Sequence, residues 1–291
     1  MDERMQTQSA SLAQALEAYQ HSGWTRHIDA RVELQASQPV LFLPYQDRNL
    51  NADGGVVHGG IIATLLHDAG YLAVQAALTE PVDAPIRVLG CQVSYLQAAR
   101  GIDLQASAIV KRQGRRFQFV AAEARDPQGQ LVATADLVFG LADVPATTST
   151  DAHALEQVRS GEPHRLAQLF NANLAKRLPG MTILGMHKGY CGIRVEDQSH
   201  FQDQRGDFAA GLQLLAADNA GVFAAFALGG RVKKASTVEL KLSFCRTARE
   251  RPIVAVGYSV GNAEDIIFNR IDIFDEDTQE LIAYGVMTFL Q

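Results

Sequence analysis

The chain has 291 residues, 47% of them hydrophobic and 20% charged, with a formal net charge of −6 at pH 7. That length suits about two domains, the acidic balance excludes a general nucleic-acid binder, and no apolar run reaches the roughly 18 residues of a membrane span. The three cysteines, Cys91, Cys191 and Cys245, lie far apart, without a CxxC pair or a histidine at ligand spacing, so reduced thiols and no metal site are expected. The N-terminus, Met1-Asp2-Glu3-Arg4, carries acids and no apolar stretch after them, which makes the cytoplasm the expected compartment.

In chain order, Leu12, Ala15, Leu16 and Tyr19 form one stripe of a helix from about Ser9 to His21, stopped by Ser22-Gly23. Ile28 to Glu33 and Val40 to Pro44 alternate as strands. A glycine-rich turn, Gly54-Gly55-Val56-Val57-His58-Gly59-Gly60, then opens an apolar helix that runs to about Leu78. Strand candidates follow at Arg87 to Leu96, Leu104 to Lys111, Phe117 to Arg125 and Leu131 to Gly140, with a turn at Asp126-Pro127-Gln128-Gly129. The order fits a five-strand antiparallel sheet around one long central helix.

The start of that helix has chemical potential. Free backbone N–H groups at Gly59 and Gly60, together with the helix dipole, favour an anion or a polarised oxygen. Seven residues at about 100° each bring position 67 to within roughly 20° of the face of Gly60. Asp68 points elsewhere.

The pattern then recurs. Phe119–Asp126 matches Phe268–Asp275 at an offset of 149, Leu131–Phe139 matches Leu281–Phe289 at 150, and Gly55–Gly70 matches Gly206–Gly221 at 151 without a gap. Near-constant offsets of this kind mark an internal duplication. It divides the chain into a first unit (1–143), a polar Thr-rich linker (144–151) and a second unit (152–291).

The run Asn51…Gly55-x-x-His58-Gly59-Gly60, followed by a long helix and antiparallel strands, resembles the hotdog-fold acyl-CoA thioesterases of the phenylacetyl-CoA thioesterase type. The resemblance covers nearly the whole chain as two tandem hotdog units of α+β class, paired as an intramolecular pseudo-dimer. It implies a catalytic aspartate nine residues after the histidine, acting across a unit interface, with a hydroxyl on the first strand after the helix. The chain departs from this pattern in a complementary way. Nine residues after His58 stands His67, whereas the equivalent of His58 in the second copy is Ala209 and that of His67 is Asp218. Pairing the copies about a pseudo-twofold axis would join His58 and the Gly59-Gly60 backbone of one copy to Asp218 of the other. The resemblance puts the hydroxyl at Thr237, with Ser236 beside it, and Val88 in the matching place of the first copy.

The expected catalytic set is therefore Asp218, His58, Gly60 and Thr237, with Asn51, Gly59 and Ser236 on the substrate. Gly60 N–H would polarise a thioester carbonyl, and Asp218 would act as base or nucleophile. The resemblance implies an acyl-CoA substrate, no cofactor beyond the CoA that is part of it, and a homodimer of chains. Two other functions compete: a non-catalytic acyl-thioester-binding module, and a hotdog hydratase or dehydratase, whose His-Phe-Pro-Gly context is absent here.

Overall fold

The computed structural model describes residues 3–51, 55–78, 85–141, 152–162, 164–229 and 235–291, with side chains from residue 12 onward. The expected linker 144–151, Gly54 and the Arg231-Val232-Lys233-Lys234 cluster lie outside the described residues.

Two helices, α1 (Glu3–His21) and α2 (Gly23–Ile28), open the chain. Ser22 ends the first but also caps the second, its Oγ accepting from Thr25 N at 3.2 Å. Residues through Ile28 are therefore helical, and the first strand begins only at Arg31, after Asp29 turns the chain with φ 57°. The first unit then carries β1 (Arg31–Gln35), β2 (Gln38–Leu43), α3 (Gly59–Ala77), β3 (Arg87–Tyr95), β4 (Leu104–Gln113), β5 (Phe117–Arg125) and β6 (Leu131–Gly140). All six strands join the sheet, one more than the expected five. The β1–β2 pair closes through Ala36 and Ser37, both at positive φ (47° and 66°), a primed-type hairpin turn without the usual Asn-Gly signature.

In the second unit the order repeats, after two helices that the sequence reading did not foresee, α4 (His153–Ser160) and α5 (Ala167–Arg177). It continues with β7 (Met181–His187), β8 (Tyr190–Val195), α6 (Ala210–Ala227), β9 (Ser236–Phe244), β10 (Ile253–Ala263), β11 (Ile266–Asp275) and β12 (Leu281–Leu290). The twelve strands form one sheet in the order β1-β2-β4-β5-β6-β3-β9-β12-β11-β10-β8-β7. That order reads the same from either end once each strand is replaced by its counterpart in the other unit. At the seam, Gln92 of β3 faces Lys241 of β9. These residues are 149 apart, the offset of the repeat itself, so the pseudo-twofold axis passes between them.

One helix per unit lies against its own half of the sheet, and the two helices touch each other along the axis. Leu65, Leu66 and Leu72 of α3 and Leu212, Leu214 and Leu215 of α6 are fully buried. By length and apolarity α6 could cross a membrane, but 83% of it is buried inside the fold. Its apolar surface is spent on the sheet and on α3. The helices approach so closely that a Cβ on Gly60 would lie 2.4 Å from the Leu215 Cα, and one on the equivalent Gly211 would lie 2.4 Å from the Thr64 Cγ2. Real atoms do not pack that near.

Equivalent β-bulges interrupt β3 and β9: the register skips Leu89 in one and Val238 in the other. A bulge re-aims the side chains beside it, and Thr237 stands beside the second one.

The helix contact generates a stability prediction. Gly60→Ala meets backbone that cannot move aside, whereas Gly211→Ala meets a side chain. Overpacking of this kind costs about 1–3 kcal/mol. Both variants should melt below the parent protein, Gly60→Ala lower than Gly211→Ala. Unchanged melting temperatures would show that the helices do not meet at these residues.

Candidate active site

Helix α3 begins at His58, its N-cap, with extended backbone angles (φ −61°, ψ 135°). The His58 N–H donates to Asn49 O at 2.8 Å, which anchors the loop before the helix. The His58 Nδ1 accepts from Gly60 N at 3.1 Å. From the other unit, Asp218 of α6 reaches the same place: Gly60 N also donates to its Oδ2 at 3.0 Å. The other oxygen, Oδ1, accepts from the Thr237 hydroxyl at 2.8 Å. His58 Nδ1 and Asp218 Oδ2 are 3.2 Å apart, with side chains 16% and 3% exposed. His58, Gly60, Asp218 and Thr237 thus converge, two from each copy.

Asn219 and Tyr95 complete the cluster, and the sequence reading missed both. His58 Nε2 lies 3.1 Å from Asn219 Oδ1, and Asn219 Nδ2 donates to Leu215 O at 3.1 Å. This network assigns the ring protons: Nδ1 accepts from Gly60, so Nε2 carries the hydrogen and donates to Asn219. Protonation at Nδ1 would turn the short approach to Asp218 into an ion pair. The Tyr95 hydroxyl donates to Gly59 O at 3.0 Å. Burial, then the nearby Asp218 charge, pushes its pKa well above the ordinary value, so Tyr95 stays a neutral donor through any normal assay range. The signal for Asn219 was its place beside Asp218. The signal for Tyr95 was the match of Ser94-Tyr95 to Ser243-Phe244, where only one copy has a hydroxyl.

Other expected residues stand differently. Gly59 has no side chain because a Cβ there would lie 2.9 Å from Asp218 Oδ2. The Gly60 N–H does not stand open for a substrate oxygen, since it donates to Asp218 and His58. Asn51 serves its loop: its N–H donates to Val56 O, and its carbonyl accepts from Arg177. The asparagine tied to His58 is Asn49, fully buried, whose side chain donates to Ile28 O at 2.9 Å. Ser236 is exposed, with its hydroxyl on Thr237 O at 3.3 Å. His67, the counterpart of Asp218, bonds to its neighbour Asp68 at 2.7 Å.

Beyond Asp218, α6 offers an apolar wall. Val222 and Phe226 follow at helical spacing on the same face. Phe170 of α5 stacks on Phe223 with ring centroids 4.5 Å apart and contacts Phe226 at 5.7 Å. Met181 Sδ lies 4.0 Å from Asn219 Nδ2.

Comparisons with known proteins agree with this architecture. Residues 54–133 match the Thioesterase superfamily. A curated Halobacterium salinarum protein named "Putative esterase" is 49% identical over 76 residues, which are 25% of this chain and 50% of that protein. The chain therefore spans about half the length of the curated relative that it matches. A solved protein of unknown function with a hot dog fold, from Alicyclobacillus acidocaldarius, superposes with a TM-score of 0.61 at 14% identity, covering 94% of this chain and 97% of its own. The acyl-CoA thioesterase II TesB2 of Mycobacterium marinum superposes at 0.59 with 12% identity, covering 95% and 96%. The chain thus takes the tandem hotdog fold, and its segment 54–133 is similar to the Thioesterase superfamily.

Proposed function

We propose that the chain is an acyl-CoA thioesterase with one composite active site, hydrolysing a thioester to a free acid and CoA. The observation that carries this reading is the convergence of His58 and Gly60 from one copy on Asp218 and Thr237 from the other, where each copy alone has lost half of the set. Gly60 N–H and the Thr237 hydroxyl each hold one oxygen of the Asp218 carboxylate. A carboxylate fixed at both oxygens is an aimed base. In the proposed step, Asp218 takes a proton from water while the water oxygen bonds to the thioester carbon. The tetrahedral intermediate then collapses, its C–S bond breaks, and the sulfur leaves with the electron pair and takes up a proton.

For Gly60 to polarise the carbonyl, its hydrogen bond must pass from the carboxylate to the substrate oxygen as that oxygen gains charge. His58 orients the loop through Asn49 and Asn219. The acyl group would lie along Val222, Phe223 and Phe226, which suits an apolar or aromatic chain. The chemistry uses only groups of the chain itself; CoA enters as part of the substrate, and the reduced cysteines fit a cytoplasmic setting.

Asp218→Asn preserves size and removes the base, so activity should fall about 10²–10⁴-fold. His67→Ala and Asp68→Asn should remain within a few-fold of the parent. Free-thiol release from a panel of acyl-CoAs, alongside melting curves, checks this. Full activity in Asp218→Asn with a dead His67→Ala would put the chemistry at the other end of the axis. No thiol release from any acyl-CoA would favour a binding module.

We also propose that two chains associate through the outer face of the sheet. Phe268, Tyr284 and Val286 stand together on that face of β11 and β12, 42%, 45% and 52% exposed, where an apolar patch needs cover. Light scattering at micromolar concentration should give twice the chain mass; a monomer would refute the dimer.

A further inference from the structure

The duplication creates a second place equivalent to the active site. There Ala209 stands for His58, His67 for Asp218, Asp68 for Asn219, Val88 for Thr237 and Phe244 for Tyr95. Among the described residues, no carboxylate hydrogen-bonds to the start of α6 as Asp218 does to the start of α3, and no side chain caps it at Ala209. Replacing an imidazole by a methyl group also leaves room. A cavity of about 130 Å³ opens at this point, with Trp24, His67, Val88, Ala209, Gln213 and Phe244 in its wall.

Buried polar atoms in that wall without a hydrogen-bond partner among the described residues include the Tyr19 hydroxyl, the Trp24 indole nitrogen and the Gln213 Oε1, the last two on residues 2% and 4% exposed. The indole nitrogen is a donor and the Gln213 Oε1 an acceptor. The uncapped helix start adds further donors and a dipole that favours negative charge. Val88, Ala209 and Phe244 give this wall an apolar part; Arg87, Arg205 and Arg246 also line it, and its aspartates are already engaged, Asp68 with His67 and both Asp203 and Asp207 with Arg205. A buried donor or acceptor without a partner is rare in folded proteins and calls for an explanation.

We propose that this cavity binds a small hydroxycarboxylate, separately from any catalysis. Its carboxylate takes the N–H groups at the start of α6 and the Trp24 indole N–H. Its hydroxyl donates to Gln213 Oε1, and its carbon chain lies against Val88 and Phe244. Lactate carries both of these groups and a methyl for the apolar side, and serves as the probe. Water alone would answer the polar end and leave the apolar end poorly filled. The proposal rests on the geometry of this cavity and not on the reaction assigned to the other site.

Trp24 is the only tryptophan in the chain, so its fluorescence reports on this cavity alone. Titration of the full-length protein with lactate should give a saturable change. Propanoate, which lacks the hydroxyl, should need at least ten times the concentration. The Asp218→Asn variant should bind lactate as the parent does, even when it has lost thioesterase activity. Ala209→His, which returns an imidazole to the vacated space, should abolish the response, and so should Gln213→Leu, each with a melting curve to confirm folding. The absence of a saturable change in the parent would overturn the proposal. So would an equal response to propanoate, a response that survives Ala209→His in a folded protein, or a lactate-soaked crystal with only water in the cavity.

Discussion

The closeness of α3 to α6 sets the geometry of this protein. Two helices packed through ordinary side chains keep their axes 8–10 Å apart. Gly60 removes the side chain at the point where the helices meet, and the Leu215 backbone enters the gap. The same glycine therefore does two things. It lets the helices touch, and it brings its own N–H within 3.0 Å of the Asp218 carboxylate. The seam of the sheet, where Gln92 faces Lys241, fixes the same axis from the other layer. With helix contact and strand register both set, residues 158 positions apart in the chain have one relative placement.

That placement makes a buried carboxylate tolerable. An aspartate 3% exposed would be costly without compensation. Here one oxygen takes a helix-start N–H and lies beside an imidazole, and the other takes a hydroxyl. Charge-assisted bonds of this type are roughly twice as strong as neutral ones. Thr237 can contribute because the bulge at Val238 turns the strand, whereas its counterpart Val88 has no hydroxyl to offer. The equivalent place therefore holds no buried acid at position 67. His67 satisfies itself locally through Asp68. The asymmetry between the two places follows from which of them can compensate a buried charge.

Much of this was legible in the sequence, and what failed did so for local reasons. The central helix was readable from its apolar run and its His-Gly-Gly start, and the duplication from its near-constant offsets. The offset of 151 also identified Asp218 as the acid on the face of a preceding glycine, because helical periodicity is a local property that survives duplication. Helix α2 was hidden because Ser22-Gly23, a stop signal for α1, is also a cap for the next helix. The β1–β2 hairpin turns on Ala36 and Ser37, which carry no turn signature. Asn49 was passed over for Asn51 because a motif counts residues, while the loop selects whichever asparagine can reach the carbonyls of Ile28 and Pro44. Helices α4 and α5 stand where α1 and α2 stand in the first unit, but the segments that revealed the repeat begin only at Gly55 and Gly206, so these helices were not read from it.

Those helices lead to the last step. The second helix of each unit reaches across to the other unit. Trp24 at the start of α2 donates its backbone N–H to Gln202 O in the second unit, and Arg177 at the end of α5 donates to Leu50 O and Asn51 O in the first. Each unit therefore carries the wall of the site next to the other unit's loop. The wall supplied by α2 puts an indole into the cavity beside Ala209. The wall supplied by α5 puts Phe170 against Phe223 beside Asp218. The charged cluster is pinned by the helix contact and the seam, and tolerates little displacement. The walls are held by a few hydrogen bonds and by aromatic packing, and can change shape without disturbing that cluster. On the function proposed above, selectivity for an acyl group would belong to α5 and the strand that follows it, residues 167–187, more than to the repeat that builds the reacting groups.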